Sequence, residues 1–216
     1  MKPAPPVTIA RIGAYRTDLV FVTFEGVDGS GKSTQAELLR DALVAEGRDV
    51  LLTREPGGTE VGERVRELVL DGPEMTPWAE AAHFAAARAE LVARVVRPAL
   101  DRGADVIADR YVDSSLAYQG IARGVGVEHV LELNLHVVQG LMPDVTVLLL
   151  LDTAEAGRGV GAPDRLERAG ADFHRRVDAA YRELAERFPE RIVAVDASRP
   201  AAELSELIRE RLRSRM

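Results

Sequence analysis

Cysteine is absent from the 216-residue sequence, so disulfide bonds, thiolate zinc sites and cysteine nucleophiles are excluded together. The opening 18 residues also lack a long apolar run. They carry prolines and scattered arginines instead, which fits neither a secretory signal nor a membrane anchor. We therefore expect a flexible extension at residues 1–18 and a single domain over residues 19–216, with a cytoplasmic location compatible with the missing cysteine.

A net positive charge is lacking as well, because the formal net charge is −7 at pH 7. Contact with a nucleic-acid backbone calls for a basic surface, and binding through the arginines would be steeply salt-dependent. The sequence contains no basic tract with interleaved aromatic residues. We expect neither a nucleic-acid nor a membrane partner.

Lysine is nearly absent: Lys2 and Lys32 are the only lysines among 28 basic residues, so 26 are arginines. Lys32 belongs to the octapeptide GVDGSGKS at residues 26–33, which matches the phosphate-binding pattern G-x-x-x-x-G-K-[ST]. A compact ammonium suits a crease in which backbone N–H groups already surround phosphates, whereas an arginine fork is wider. The octapeptide therefore predicts a phosphate-binding loop.

The flanking sequence supplies the context that such a loop requires. An apolar run at residues 19–24 predicts a strand before it, and a helical pattern runs from Ser33 to a glycine cap at Gly47. We expect the amides of residues 29–32 to face a phosphate and Ser33 to hold Mg²⁺. The alternative is a glycine turn before an ordinary helix. The predicted ATP-binding residues are Gly26, Val27, Asp28, Gly29, Ser30, Gly31, Lys32, Ser33 and Thr34.

Strand and helix patterns alternate along the chain. Strands are predicted at residues 19–24, 49–53, 104–108, 145–151 and 191–195, and helices at residues 33–47, 59–70, 77–100, 127–140, 173–188 and 201–213. A polar turn is predicted at Ser114 and Ser115. This alternation predicts an α/β fold with a five-stranded parallel sheet that has helices on both faces.

Two further pairs suggest a site. Asp109 and Arg110 follow an apolar strand, which places Asp109 at the carboxyl edge of the sheet, where it could order Mg²⁺ through water. The alternative is an ordinary Asp–Arg pair that ends the strand. Phe84 and Arg88 lie four residues apart on one helical face, so both can point into one cleft. Alternatively, Phe84 is a core residue and Arg88 a solvated charge.

Three sequence blocks resemble the bacterial thymidylate kinase family. They are FEGVDGSGKST at residues 24–34, TREPGGT at residues 53–59 and DRYVDSSLAYQG at residues 109–120. The first block is common to many nucleotide-binding proteins, while the other two are far more specific in this order and spacing. The resemblance implies a P-loop fold of the nucleoside-monophosphate-kinase type, Mg²⁺-dependent transfer of the ATP γ-phosphate to dTMP in dTTP biosynthesis, and a homodimer.

The resemblance also implies roles for individual residues. Phe84 would stack on thymine and Arg88 would hydrogen-bond its O4, while Arg110 would bind the acceptor phosphate. Tyr118 would pack beneath the sugar. The implied dTMP-binding residues are Asp28, Glu55, Pro56, Phe84, Arg88, Arg110, Ser114, Ser115, Tyr118 and Gln119.

A lid is implied at about residues 153–168, within which GRGVGAPDRLE spans residues 157–167. The phosphate loop itself has no arginine, so Arg158 and Arg165 are expected to neutralise charge on the moving phosphoryl group. The chain here is shorter than the family pattern, and the alternative for Arg158 is a non-catalytic loop arginine. The expected catalytic residues are Lys32, Asp28, Arg110, Arg165 and Arg158.

Two other functions stay open at this point. A kinase for a different nucleoside monophosphate would have the same loop, and so would a nucleotide-binding module with little turnover.

Overall fold

Five parallel strands form one sheet in the computed structural model, which describes residues 21–151 and 164–215. The strands are β1 (Phe21–Gly26), β2 (Val50–Arg54), β3 (Asp105–Asp109), β4 (Val145–Leu150) and β5 (Ile192–Asp196). Their order is β2-β3-β1-β4-β5. The central β1 therefore ends between β3 and β4, and the phosphate loop begins at the carboxyl edge of the sheet. The predicted five-stranded parallel sheet is confirmed.

Helices cover both faces of this sheet. They are α1 (Lys32–Ala45), α2 (Glu60–Asp71), α3 (Pro77–Leu91), α4 (Arg97–Asp101), α5 (Val112–Ser115), α6 (Val127–Val137), α7 (Ala171–Arg187) and α8 (Ala201–Arg213). Adjacent residues of β1 point to opposite faces, so Phe21 and Val22 belong to two separate hydrophobic clusters. Within the described part of the chain, no helix is both long and apolar enough to cross a membrane.

The helical stretch predicted at residues 77–100 is present but not uniform. A π-helical segment, Val92–Val96, joins α3 to α4, and the amide of Arg97 donates to the carbonyl of Val92. Pro98 follows directly. A proline has no amide hydrogen and clashes with the carbonyl four residues earlier in a regular helix, so a wider turn accommodates it.

The polar turn predicted at Ser114 and Ser115 is wrong. These residues end α5, and a second π-helical segment, Leu116–Ala122, continues from them. The amides of Tyr111 and Ser114 donate to the carboxylate of Glu25 at 2.7 and 3.1 Å. This distant carboxylate satisfies the first amides of the short helix, which the local sequence could not reveal.

Candidate functional site

A cleft of about 500 Å³ opens at the carboxyl edge of the sheet. It brings most of the predicted site residues together. Those that line it are Asp28, Gly29, Gly31, Lys32, Ser33, Thr34, Glu55, Pro56, Phe84, Asp109, Arg110, Ser114, Ser115, Tyr118 and Gln119. Three further residues of the phosphate loop, Gly26, Val27 and Ser30, are buried and do not line the cleft.

The phosphate loop leads directly into α1. Gly29 and Gly31 have positive φ angles of 80° and 87°, which glycine adopts without strain. Helix α1 begins at Lys32 without a side-chain cap and has no acidic residue in its first turn. Its free amides and positive dipole end therefore face the cleft, which is an arrangement suited to an anion.

The ammonium of Lys32 is buried against this loop. Nζ donates to the carbonyl of Val27 at 2.8 Å and lies 3.8 Å from a carboxylate oxygen of Asp28. Burial, together with the nearby charge of Arg110, lowers the pKa of Lys32 to about 8. An incoming phosphate would oppose both effects, because a negative charge favours the protonated amine.

Ser33 and Asp109 meet at one end of the cleft. The hydroxyl of Ser33 donates to Oδ2 of Asp109 at 2.5 Å, and Asp109 is the last residue of β3. Within residues 21–151 and 164–215, no group of three or more acidic or histidine side chains could hold a metal ion. A hydroxyl and one carboxylate nevertheless fit Mg²⁺, which usually keeps several waters and takes its other ligands from phosphates.

Arg110 lies between the phosphate loop and the rest of the cleft. Its backbone adopts a positive φ of 72°, which is uncommon outside glycine. Nη2 donates to Asp28, and Nη1 donates to the carbonyl of Gly26 at 3.1 Å. Burial acts to raise the pKa of Asp28, but the charges of Arg110 and Lys32 outweigh it and lower that pKa. Asp28 is therefore held as a carboxylate.

Phe84 and Arg88 lie at different depths below the surface of the cleft. Phe84 lines the cleft, whereas Arg88 is 1% exposed and lies beneath the cleft surface. The guanidinium of Arg88 donates to Glu55 at 2.7 Å, to Ser115 at 3.1 Å and to the side-chain oxygen of Asn134. A further donation goes to the carbonyl of Tyr111 at 3.0 Å. The remaining oxygen of Glu55 is buried and has no hydrogen-bond partner within residues 21–151 and 164–215.

Tyr118 and Gln119 come from the second π-helical segment. The hydroxyl of Tyr118 lies 3.5 Å from Oδ2 of Asp28, and its ring packs edge-on against Phe173. Gln119 donates to Glu80 at 2.9 Å. Wide π turns occur frequently at functional sites, and this one points both side chains into the cleft.

Arg165 does not reach the phosphate loop. Its Nε donates to the carbonyl of Val69 at 2.9 Å, and Nη2 lies 2.8 Å from Oε2 of Glu80. Arg165 is not among the residues that line the cleft. Arg158, the other arginine expected from the lid, lies outside the described residues.

Sequence reasoning missed several cleft residues. They are Arg54, Arg66, Leu70, Asp164 and Leu166. Arg66 extends from α2 and donates to the carbonyl of Pro56 at 2.9 Å. Burial and the neighbouring charge of Arg54 lower the pKa of Arg66. No local signal marks Arg66, because α2 reads as an ordinary amphipathic helix, and the same holds for Asn134 in α6.

Comparison with known proteins fits this geometry. A family model for thymidylate kinase matches residues 24–208. The chain is 53% identical over 197 residues to the thymidylate kinase of Clavibacter michiganensis subsp. michiganensis, covering 89% of this chain and 93% of the relative. It is 48% identical over 189 residues to the thymidylate kinase of Deinococcus radiodurans, covering 86% of this chain and 92% of the relative.

A solved structure agrees in fold. The crystal structure of thymidylate kinase from Ehrlichia chaffeensis superposes with a TM-score of 0.75 at 31% identity, covering 90% of this chain and 98% of the other. The sequence matches extend over nearly the whole described part of the chain, including every element that lines the cleft. The chain belongs to the thymidylate kinase family, and it is an enzyme of the phosphotransferase class.

Proposed function

We propose that this protein transfers the γ-phosphate of ATP to dTMP and releases ADP and dTDP, as its family membership implies. The observation that carries the proposal is the position of Arg110. It contacts the phosphate loop through Asp28 and lines the same cleft as Phe84 and Tyr118. A guanidinium there can bind two oxygens of an acceptor phosphate while the donor phosphates lie in the loop.

The donor side uses the loop and the start of α1. The amides of residues 29–32 and the ammonium of Lys32 bind the β- and γ-phosphates. Ser33 and Asp109 would hold Mg²⁺, which would neutralise negative charge on the donor phosphates. The close contact between these two side chains supports that assignment.

The acceptor side uses the other half of the cleft. Phe84 stacks on the thymine ring, Tyr118 packs beneath the sugar, and Ser115 contacts the pyrimidine edge. The guanidinium of Arg88 already donates to four protein acceptors, so it can hydrogen-bond thymine O4 only by giving up one of them. The contacts instead favour an indirect role, in which Arg88 orients the hydroxyl of Ser115 toward the base. Glu55 and Pro56 line the cleft beside them.

The reaction requires no general base, because the attacking oxygen of the acceptor phosphate is already anionic. Catalysis then consists of positioning and of neutralising the charge that spreads over the moving phosphoryl group. Lys32 and Arg110 supply positive charge from two sides. The charge-neutralising roles implied for Arg158 and Arg165 stay predictions.

Three finer features belong to the proposal. They are Mg²⁺ as the metal, a cytoplasmic location and a homodimer. Exposed apolar side chains on the helices, including Leu68, Trp78 and Leu135, are compatible with self-association. Light scattering that gave the mass of a single chain would contradict the homodimer.

Coupled detection of ADP release across dTMP, dUMP, CMP and AMP tests the proposed acceptor. We expect kcat/KM for dTMP to be at least about tenfold higher than for dUMP, CMP or AMP. The loss or mismatch of one contact to the base lowers kcat/KM by about that factor. A preference for another monophosphate would contradict the substrate assignment. ATP binding without release of ADP on any acceptor would contradict the reaction itself.

A further inference from the structure

Glu25, the fifth residue of β1, has a fully buried carboxylate next to the phosphate loop. Burying a carboxylate is costly unless hydrogen bonds satisfy it. This one accepts four. The amides of Tyr111 and Ser114 donate to Oε1, while the hydroxyls of Ser114 and Tyr181 donate to Oε2 at 2.6 and 3.0 Å. Both carboxylate oxygens of Glu25 therefore have two hydrogen-bond donors from the protein.

The same two hydroxyls face Arg110. Its Nη1 lies 3.2 Å from the Ser114 hydroxyl and 3.2 Å from the Tyr181 hydroxyl, and it donates to both. Each hydroxyl thus gives its proton to Glu25 and turns its lone pairs toward the guanidinium. An ionised carboxylate can only accept, so Glu25 fixes the direction of both hydrogen bonds in its charged form. Burial and the nearby charge of Asp113 raise the pKa of Glu25 to about 7.

Glu25 also fixes the backbone of Arg110. The amide of Arg110 donates to the carbonyl of Phe24 at 2.9 Å, and the next amide, that of Tyr111, donates to Glu25. These bonds hold both sides of a residue whose φ of 72° is unfavourable for a side chain with a Cβ. Glu25 thus acts on Arg110 in two ways, through the following amide of Tyr111 and through the two hydroxyls that contact the guanidinium.

Tyr181 is the more distant member, located in α7, which follows the lid region. Its ring is buried and packs edge-on to Tyr118 with centroids 6.3 Å apart. Tyr181 lies outside all three sequence blocks that resemble the family, and Glu25 lies in the first block but has no role assigned to it there. We infer that Glu25 and Tyr181 are positioning residues that hold the guanidinium of Arg110 in the orientation needed to bind the acceptor phosphate.

This inference rests on the proposed function, since it concerns how the acceptor phosphate is bound. The variant Tyr181→Phe tests it by removing one hydroxyl while the ring is kept. We expect kcat/KM for dTMP to fall roughly ten- to hundredfold, the range for a hydrogen bond to a charged group. The KM for ATP should stay within about twofold, because the loop contacts of the donor are unchanged.

The matched control is Val177→Ala, one turn earlier in the same helix. Val177 is fully buried in the hydrophobic core, and its side chain carries no polar group. Its truncation lowers the free energy of unfolding without touching the hydroxyl cluster. We expect kcat/KM for dTMP to stay within about threefold of wild type.

A double-mutant cycle separates positioning from a general loss of packing. If Tyr181 acts through Arg110, the change Tyr181→Phe should cost less than about threefold in an Arg110→Ala background. Equal loss in both backgrounds would overturn the inference, and so would wild-type kcat/KM in Tyr181→Phe. Glu25→Gln, which keeps size but removes the charge, should reproduce the Tyr181→Phe loss and be similarly non-additive.

The activity of the wild-type protein distinguishes a failure of the proposed function from a failure of this inference. Wild-type protein that does not phosphorylate dTMP would overturn the proposed function, and this inference with it. Wild-type protein that does so while Tyr181→Phe behaves identically would overturn the inference alone.

Discussion

Arg165 and Glu80 form a buried ion pair, in which Nη2 of Arg165 lies 2.8 Å from Oε2 of Glu80 and neither side chain is more than 3% exposed. The pair connects the last part of the expected lid segment to α3. Arg123 and Gln119 contact the same carboxylate at 3.3 and 2.9 Å. Glu80 therefore joins three parts of the chain, one of which contributes Gln119 to the cleft.

Arg165→Ala should act mainly on stability. Removing one partner of a buried pair leaves the other charge under-compensated, which costs about 3 kcal/mol in the free energy of unfolding. Urea denaturation measures this. Arg175→Ala, on the exposed face of α7, should change it by less than about 0.5 kcal/mol. Unchanged stability with a tenfold lower kcat would instead support the catalytic role implied for Arg165.

Lys32→Arg should nearly abolish turnover although it keeps the charge. Lys32 is 7% exposed and its Nζ lies 2.8 Å from the carbonyl of Val27. A planar guanidinium is wider than this crease and cannot replace a compact ammonium. We expect kcat to fall about a hundredfold or more, the usual loss when one transition-state donor is removed. A near-normal kcat in folded protein would contradict the donor assignment.

Proton uptake should accompany binding of Mg·ATP at about pH 8.5. The pKa of Lys32 is lowered to about 8 in the free protein, so much of the amine is neutral at that pH. Bound phosphates raise this pKa, and the amine takes up a proton. Titration calorimetry in buffers of different ionisation enthalpy measures the uptake. Binding heats that do not depend on the buffer would contradict this role.

Asp109→Asn should raise the requirement for Mg²⁺. The side chain contacts Ser33, and an amide is a weaker ligand for a hard cation than a carboxylate. We expect the Mg²⁺ concentration for half-maximal activity to rise about tenfold, with partial recovery of kcat at saturating Mg²⁺. If the Mg²⁺ dependence is unchanged, Asp109 does not help to hold the metal.

Arg66→Ala should weaken binding of dTMP. Arg66 lines the cleft together with Arg54 and Arg110, and a cationic group there attracts the acceptor phosphate. We expect kcat/KM for dTMP to fall about tenfold, since a charged hydrogen bond contributes about 1.5 kcal/mol or more. Arg64→Ala is the matched control on the same helix, because Arg64 is largely exposed. Equal effects of both changes would exclude a specific role for Arg66.

Features encoded within a short stretch of chain could be predicted from the sequence. The phosphate loop is one, because its glycines, Lys32 and the flanking strand and helix are contiguous. The sheet is another, since each strand is a short apolar run. The helical course of residues 112–122 could not be predicted, because its first amides are satisfied by Glu25, more than 80 residues away.

The burial and the partners of the arginine side chains could not be predicted from the sequence either. Arg88 matched the expected spacing with Phe84, yet its burial depends on Asn134 in α6, 46 residues further along the chain. Arg165 matched the lid pattern, yet it pairs with Glu80 in α3. A motif specifies which residue types are present, whereas long-range packing decides which partner each guanidinium takes.

Identification of the labelled product tests the central claim most directly. Wild-type protein would be incubated with Mg²⁺, dTMP and ATP labelled at the γ-phosphate, and the nucleotides separated by chromatography. We expect the label to appear in dTDP, and to appear there far more slowly with Arg110→Ala. Label found only in inorganic phosphate, or left in ATP, would contradict phosphoryl transfer to dTMP.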